Sequence, residues 1–129
     1  MAWRPLRQHR RMDELTPLER AVMDVIGRQQ PANAVALGMQ LTGTRVVSRE
    51  NTGAGFFTTF AVTSGVPIEG MKVPLGDVGA TVHGLTNGMG FLLWLKDGWL
   101  HQLEGYSYEE DTSDLDFDRV EFGGVAPRM

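Results

Sequence analysis

Asn87-Gly88-Met89-Gly90-Phe91-Leu92-Leu93-Trp94-Leu95-Lys96-Asp97-Gly98-Trp99 is the stretch whose reading decides the fold. Asn-Gly and Asp-Gly are favoured in two-residue type I′ turns, where both central positions need φ > 0. Bracketing an apolar run, they predict an antiparallel meander of three strands over 79–86, 89–96 and 99–104. Two-residue turns set the register. Phe91, Leu93 and Leu95 are therefore expected opposite Gly84, Val82 and Ala80 on one side, and opposite Glu104, Gln102 and Leu100 on the other. That face is largely apolar and is expected to meet helices. The opposite face would hold Thr81, His83 and Leu85, then Leu92, Trp94 and Lys96, then Trp99, His101 and Leu103. A middle strand that is apolar on both faces predicts a cover for the second one, either the sheet curling over or a partner.

Working outward, strands are expected over 44–50 and 56–63, with a last one near 119–123 where Val120 and Phe122 flank Glu121. Gly53-Ala54-Gly55-Phe56-Phe57 is echoed by Gly88-Met89-Gly90-Phe91-Leu92, so the two segments read as paired halves of one sheet. Residues 64–78 read as a long connection able to form a surface lid. Upstream, Thr16-Pro17-Leu18-Glu19 matches a capping box with proline at the first helical position. Leu18, Ala21, Val22, Val25 and Ile26 then form one apolar stripe, which predicts a helix over 17–28. A shorter helix is expected from Pro31 to before Gly43, with Ala34, Leu37, Gly38 and Leu41 at helical spacing. The fold class predicted is α+β: two N-terminal helices packed on a bent antiparallel β-sheet of five or six strands. A leader over 1–15 precedes a single domain over 16–129.

At 129 residues the chain has the size of one domain, and 42% apolar with 22% charged residues excludes wholesale disorder. No cysteine is present, which excludes disulfides and thiolate chemistry. No apolar run approaches the roughly 20 residues that span a bilayer. The net charge of −4 conceals a polarised chain. Residues 1–49 hold eight Arg against four acids, whereas residues 104–129 hold eight acids against two Arg. The leader contains Arg4, Arg7, Arg10 and Arg11 without a following apolar stretch, so it does not read as a secretory signal. A cytoplasmic location is expected. An acidic chain repels phosphate, so no nucleic-acid partner is expected, and without a spanning apolar run no membrane partner is expected.

The chemical motifs are mostly exclusions. Gly53-Ala54-Gly55 and Gly88-Met89-Gly90 lack the third glycine and the helix of a dinucleotide fingerprint. His83 and His101 are expected on one face but on the order of 12 Å apart, too far for one ion to bridge, so no metal site and no cofactor are expected. His101 is expected against Trp94. Asp114-Leu115-Asp116-Phe117-Asp118 resembles the opening of a calcium loop but lacks its glycine and its closing glutamate. It reads as a solvated edge strand or an acidic docking surface, enlarged upstream by Glu109, Glu110 and Asp111. No catalytic residue is assigned.

Val47-Ser48-Arg49-Glu50-Asn51-Thr52-Gly53-Ala54-Gly55-Phe56-Phe57-Thr58, Gly76-Asp77-Val78, Gly84-Leu85, Gly88-Met89-Gly90-Phe91-Leu92-Leu93 and Leu103-Glu104-Gly105-Tyr106-Ser107-Tyr108-Glu109 follow in that order. This order resembles a family of small uncharacterised bacterial proteins, in which a proline–tryptophan segment replaces Asp111-Thr112-Ser113-Asp114. The resemblance implies one compact α+β domain and no activity. The favoured function is a protein-binding module, an inhibitor or immunity-type protein with a basic partner. Trp94, Trp99, Tyr106 and Tyr108 would be its anchors, with Glu109, Glu110, Asp111, Asp114, Asp116 and Asp118 as its charged rim. The alternatives are a small-molecule pocket or enzyme around Trp94, His101 and Glu104, and a homo-oligomer that buries the Trp94–Trp99 face.

Overall fold

The computed structural model describes residues 11–128. Helix α1 spans Pro17–Arg28, and a 3₁₀ turn at Pro31–Asn33 leads into α2, Ala34–Thr42. Six strands follow: β1 Thr44–Asn51, β2 Gly55–Val62, β3 Leu75–Val82, β4 Met89–Lys96, β5 Trp99–Ser107 and β6 Phe122–Pro127. They form one open antiparallel sheet in the order β1-β2-β5-β4-β3-β6. The fold is α+β with the helices N-terminal to the sheet. No described helix is long and apolar enough to cross a membrane.

Helix α1 begins as its capping box dictates. Thr16 Oγ1 accepts from the Glu19 amide at 3.0 Å, and Glu19 Oε1 accepts from the Thr16 amide at 2.8 Å. Leu18, Val22, Val25 and Ile26 are buried along one stripe, and α1 packs over β3 and β6 while α2 packs over β5. Residues 1–10 of the expected leader lie outside the described residues. Residues 11–15 are tied to β1: the Val46 amide donates to the Asp13 carbonyl at 2.8 Å, and Leu15 is buried.

The two hairpin dipeptides behave differently. Asp97 and Gly98 have φ of 53° and 84°, as a type I′ turn requires, and Lys96 pairs with Trp99. Of Asn87 and Gly88, only Gly88 has a positive φ. Strand β3 ends at Val82, so Phe91 lies opposite Val78 instead of Gly84, and Leu93 opposite Leu75 instead of Val82. Residues 83–88 leave the ladder because their amides find other acceptors. His83 N donates to the Glu121 carbonyl and Leu85 N to that of Val82, while Thr86 N and Asn87 N both donate to the Glu110 carboxylate at 2.8 Å. The slip brings Val78, fully buried, against Phe91 where the expected register had placed a glycine.

A second correction lies in β5. Trp94 pairs with Gln102 and Leu95 with Leu100, so His101 is the extra residue of a β-bulge and does not pair with Trp94. Beyond the bulge every side chain changes face. Leu103 enters the core opposite Leu93, and Glu104 leaves it, opposite Leu92. Without the extra residue, strict alternation from Leu100 would bury Gln102 and Glu104 under the helices. The sequence echo also has a place in space: Phe56 and Phe91 flank Gly105 from β2 and β4, with ring centroids 6.1 Å apart. A β-carbon on Gly105 would lie 2.6 Å from the Phe56 ring, which explains that glycine.

Two connections differ from expectation. Residues 108–121 form turns and bends, so Asp114–Asp118 is not an edge strand, and the last strand starts later, at Phe122. Leu115 and Phe117 do turn inward, the Phe117 ring lying 4.7 Å from that of Phe56. The connection before β3 is anchored: Ile68 is buried and its amide donates to the Gly98 carbonyl at 2.9 Å. Beside it, the fully buried Gln40 of α2 donates to the Val66 and Gly98 carbonyls and accepts from the Leu100 amide.

Candidate functional site

Both helices pack on one face of the sheet, and strand alternation assigns the opposite face. Leu95 and Leu100 turn toward the core, so Lys96 and Trp99 at the hairpin end turn outward. Next along the strands come Trp94 and Gln102, with Thr59 beside them, then Leu92 and Glu104 with Phe57 beside them, then Tyr106. Tyr106 lies across Gly90 of β4, whose missing side chain makes room for the ring: a β-carbon there would collide with it. Tyr108 meets Tyr106 edge-on, with centroids 5.6 Å apart. The structure thus brings Trp94, Trp99, Tyr106 and Tyr108 to one outer face, all of them half-buried.

Polar groups on this face are joined in small sets. The Trp94 indole Nε1–H donates to Glu104 Oε1 at 3.1 Å, and Gln102 Nε2 donates to Thr59 Oγ1 at 3.1 Å. The Tyr106 hydroxyl donates to Asp77 Oδ1 at 2.9 Å. The Arg128 guanidinium stands 4.9 Å from the Tyr108 ring centroid, donates to the Tyr108 hydroxyl, and approaches Asp77 Oδ2 to 3.6 Å. Desolvation, then the bond to Asp77, pushes the Tyr106 phenol up to about 12. At neutral pH it is a hydrogen-bond donor and not a base. These groups suit recognition by ring faces, donors and acceptors.

The acidic segment is divided between the two sides. Glu109, with φ of 62°, directly follows Tyr108 and is exposed. Glu110 and Asp111 spend their carboxylates on local structure, Glu110 on the Thr86 and Asn87 amides and Asp111 on the amide and hydroxyl of Ser113. Those bonds hold both below the usual carboxylate range. Asp114, Asp116 and Asp118 lie in the turns that carry Leu115 and Phe117 onto Phe56, on the helix-bearing side. Asp116 Oδ1 accepts from the Asp118 amide, and Asp118 acts electrostatically on Arg49. The aromatic anchors and the Asp114–Asp118 acids therefore do not share a face. Of the alternative pocket, Trp94 and Glu104 are in contact, whereas His101 sits in the bulge. Among the described residues no three His, Asp or Glu side chains converge as a metal site.

Sequence reasoning missed the bonds that Asp77 and Arg128 make on this face, the place of Phe57 beside them, and a buried polar constellation around Glu19. Glu19 is buried with its carboxylate fully engaged. Arg49 Nε and Nη2 donate to it at 2.9 and 2.8 Å and Thr58 Oγ1 at 2.5 Å, besides the Thr16 amide. Arg49 also donates to the carbonyls of Met12 and Glu14. Burial pushes the Glu19 carboxyl up, but the bonds from Arg49, Thr58 and Thr16 outweigh it and hold the group below its ordinary value. A signal was present, since Glu19, Val22, Met23 and Ile26 share helical spacing, which puts Glu19 on the buried stripe. Comparisons with family models, with curated proteins and with solved structures give no match for this chain.

Proposed function

We propose that this chain is a cytoplasmic protein-binding module, of the inhibitor or immunity type, that engages a basic protein through the outer face of its sheet. The observation that supports this reading is the gathering of Trp94, Trp99, Tyr106 and Tyr108 on the face that carries no helix. Large aromatic side chains with a polar tip supply most of the energy of a protein interface at little entropic cost. The excess of acids over residues 104–121, eight against Arg119 alone, favours a basic partner and speeds its approach. Glu104 and Glu109 lie among the anchors and form the near rim. Asp114, Asp116 and Asp118 act at longer range from the other side.

The test is affinity capture from cells that express the chain, using wild type, the Trp94→Ala/Trp99→Ala double variant, and Glu109→Gln. The expected result is one stoichiometric basic protein, released by salt and lost from the double variant, whose association slows in Glu109→Gln. Capture that is equal in all three chains would overturn the assignment of the outer face. A wild-type chain that sediments as a dimer, with monomers in the double variant, would replace the partner with a second copy of the chain.

A further inference from the structure

On the helix-bearing side, beside the Glu19–Arg49 pair, a hollow of about 210 Å³ has Phe56, Leu115 and Phe117 as its apolar lining and Glu50, Asp116 and Asp118 around them. Leu115 and Phe117 are only half-buried, and Glu50 and Asp116 are exposed. Arg49 forms one wall, but its guanidinium is spent on Glu19 and on the carbonyls of Met12 and Glu14. The lining residues hold four acids (Glu19, Glu50, Asp116 and Asp118) against Arg49 alone, a net of −3. An apolar lining under a negative rim suits a basic segment that also carries apolar side chains, since arginine lays its own stem along apolar surface and keeps its charge at the edge.

The chain itself supplies such a segment at this place. Arg49 Nη1 donates to the Met12 carbonyl at 2.9 Å, so Met12 lies at the wall of the hollow. The residues before Arg11 are Met1-Ala2-Trp3-Arg4-Pro5-Leu6-Arg7-Gln8-His9-Arg10. They hold three arginines and no acid, with Trp3 and Leu6 each directly before an arginine. Extended chain covers about 3.5 Å per residue, so the hollow is within reach of this segment. The tether also sets an effective concentration on the order of millimolar, at which contacts of millimolar affinity are about half occupied. We infer that residues 3–10 dock across this hollow, with Leu6 over Leu115 and Phe117 and with Arg7 and Arg10 against the carboxylates of Asp116 and Asp118. The docked segment lies on the side away from Trp94 and Trp99 and leaves the outer face open.

The chain has no cysteine, so Ala2→Cys in the full chain takes a thiol-attached nitroxide at a single place. The nitroxide broadens the amide signals of whatever lies near it, and its reduction gives the reference spectrum. At low salt the amides of Glu50, Asn51, Leu115, Asp116, Phe117 and Asp118 should fall to about half of their reference intensity or less, as half occupancy requires. The loss should vanish in Arg7→Glu/Arg10→Glu and shrink at high salt, where exposed charges are screened. It should persist in Trp94→Ala/Trp99→Ala, which separates this contact from the proposed protein interface. Broadening spread evenly over the surface, broadening centred on the outer face, or a pattern unmoved by the double charge reversal would overturn the inference. Broadening of an isotope-labelled chain by a separate nitroxide-labelled one would overturn it as well, and would assign the hollow to a second copy's segment.

Discussion

Glu19 and Glu104 sit on opposite faces of the same sheet, and their surroundings differ in what each can lose. Glu19 receives four donors and is closed off from water, with its side chain only 3% exposed. Glu104 is half-buried and receives one indole N–H. On the helix side a charge is tolerable only because every bond it can accept is supplied, so removing one partner strands the other. On the outer side the unused bonding capacity faces solvent, and a partner that displaces water can claim it. Internal stability is concentrated on the first face, and the second is the face proposed for recognition.

The largest effect that tests this contrast is Arg49→Met. It strands the Glu19 carboxylate and detaches the chain at Met12 and Glu14, with an expected loss of about 3 kcal/mol in urea denaturation. A loss as small as that of an ordinary surface substitution would break the contrast. Next comes the acid limb of the stability curve. The Glu19 carboxyl is held below its ordinary value of 4.5, so the unfolded chain takes up its proton first. The stability contributed by Glu19 is present above pH 4.5 and is lost as pH falls through the lowered value. Urea midpoints measured through this range should fall in wild type and stay flatter in Glu19→Gln. The smallest effect is expected from Trp94→Phe, which removes the indole N–H and keeps the ring. Water replaces the donor to Glu104, so the cost in stability should stay below about 1 kcal/mol by the same measurement. A larger loss would mean that the outer face is also built for the fold.

The elements that local chemistry decides were legible in the sequence. Thr16 to Glu19 specified the start of α1, and Asp97-Gly98 specified a turn, because in each case the partners lie within a few residues. Asn87-Gly88 carries the same signal as Asp97-Gly98 and failed, because the Glu110 carboxylate and the Glu121 carbonyl capture the amides of that loop from more than 20 residues away. The bulge at His101 left no local trace; it is set by the need to bury Leu103 and release Glu104. The four aromatic residues do share one face, but Asp114, Asp116 and Asp118 lie on the other side. Their expected grouping rested on nearness along the chain, and residues 108–121 instead form turns that bring Leu115 and Phe117 onto the helix-bearing side.

Gln40 carries a consequence for the order in which the chain folds. Its three bonds go to Val66, Gly98 and Leu100, which lie 26, 58 and 60 residues further along. Two of them end on the β4–β5 hairpin, whose own two-residue turn closes locally and early, on the order of microseconds. Helix α2 forms just as locally, but burying Gln40 before that turn exists would leave its amide unpaired in the core. These bonds predict that the hairpin leads and the helix docks on it afterwards. Substitutions at Gly98 should then slow folding, whereas those at Leu37 should mainly speed unfolding, and φ-values of the opposite order would reverse that sequence of events.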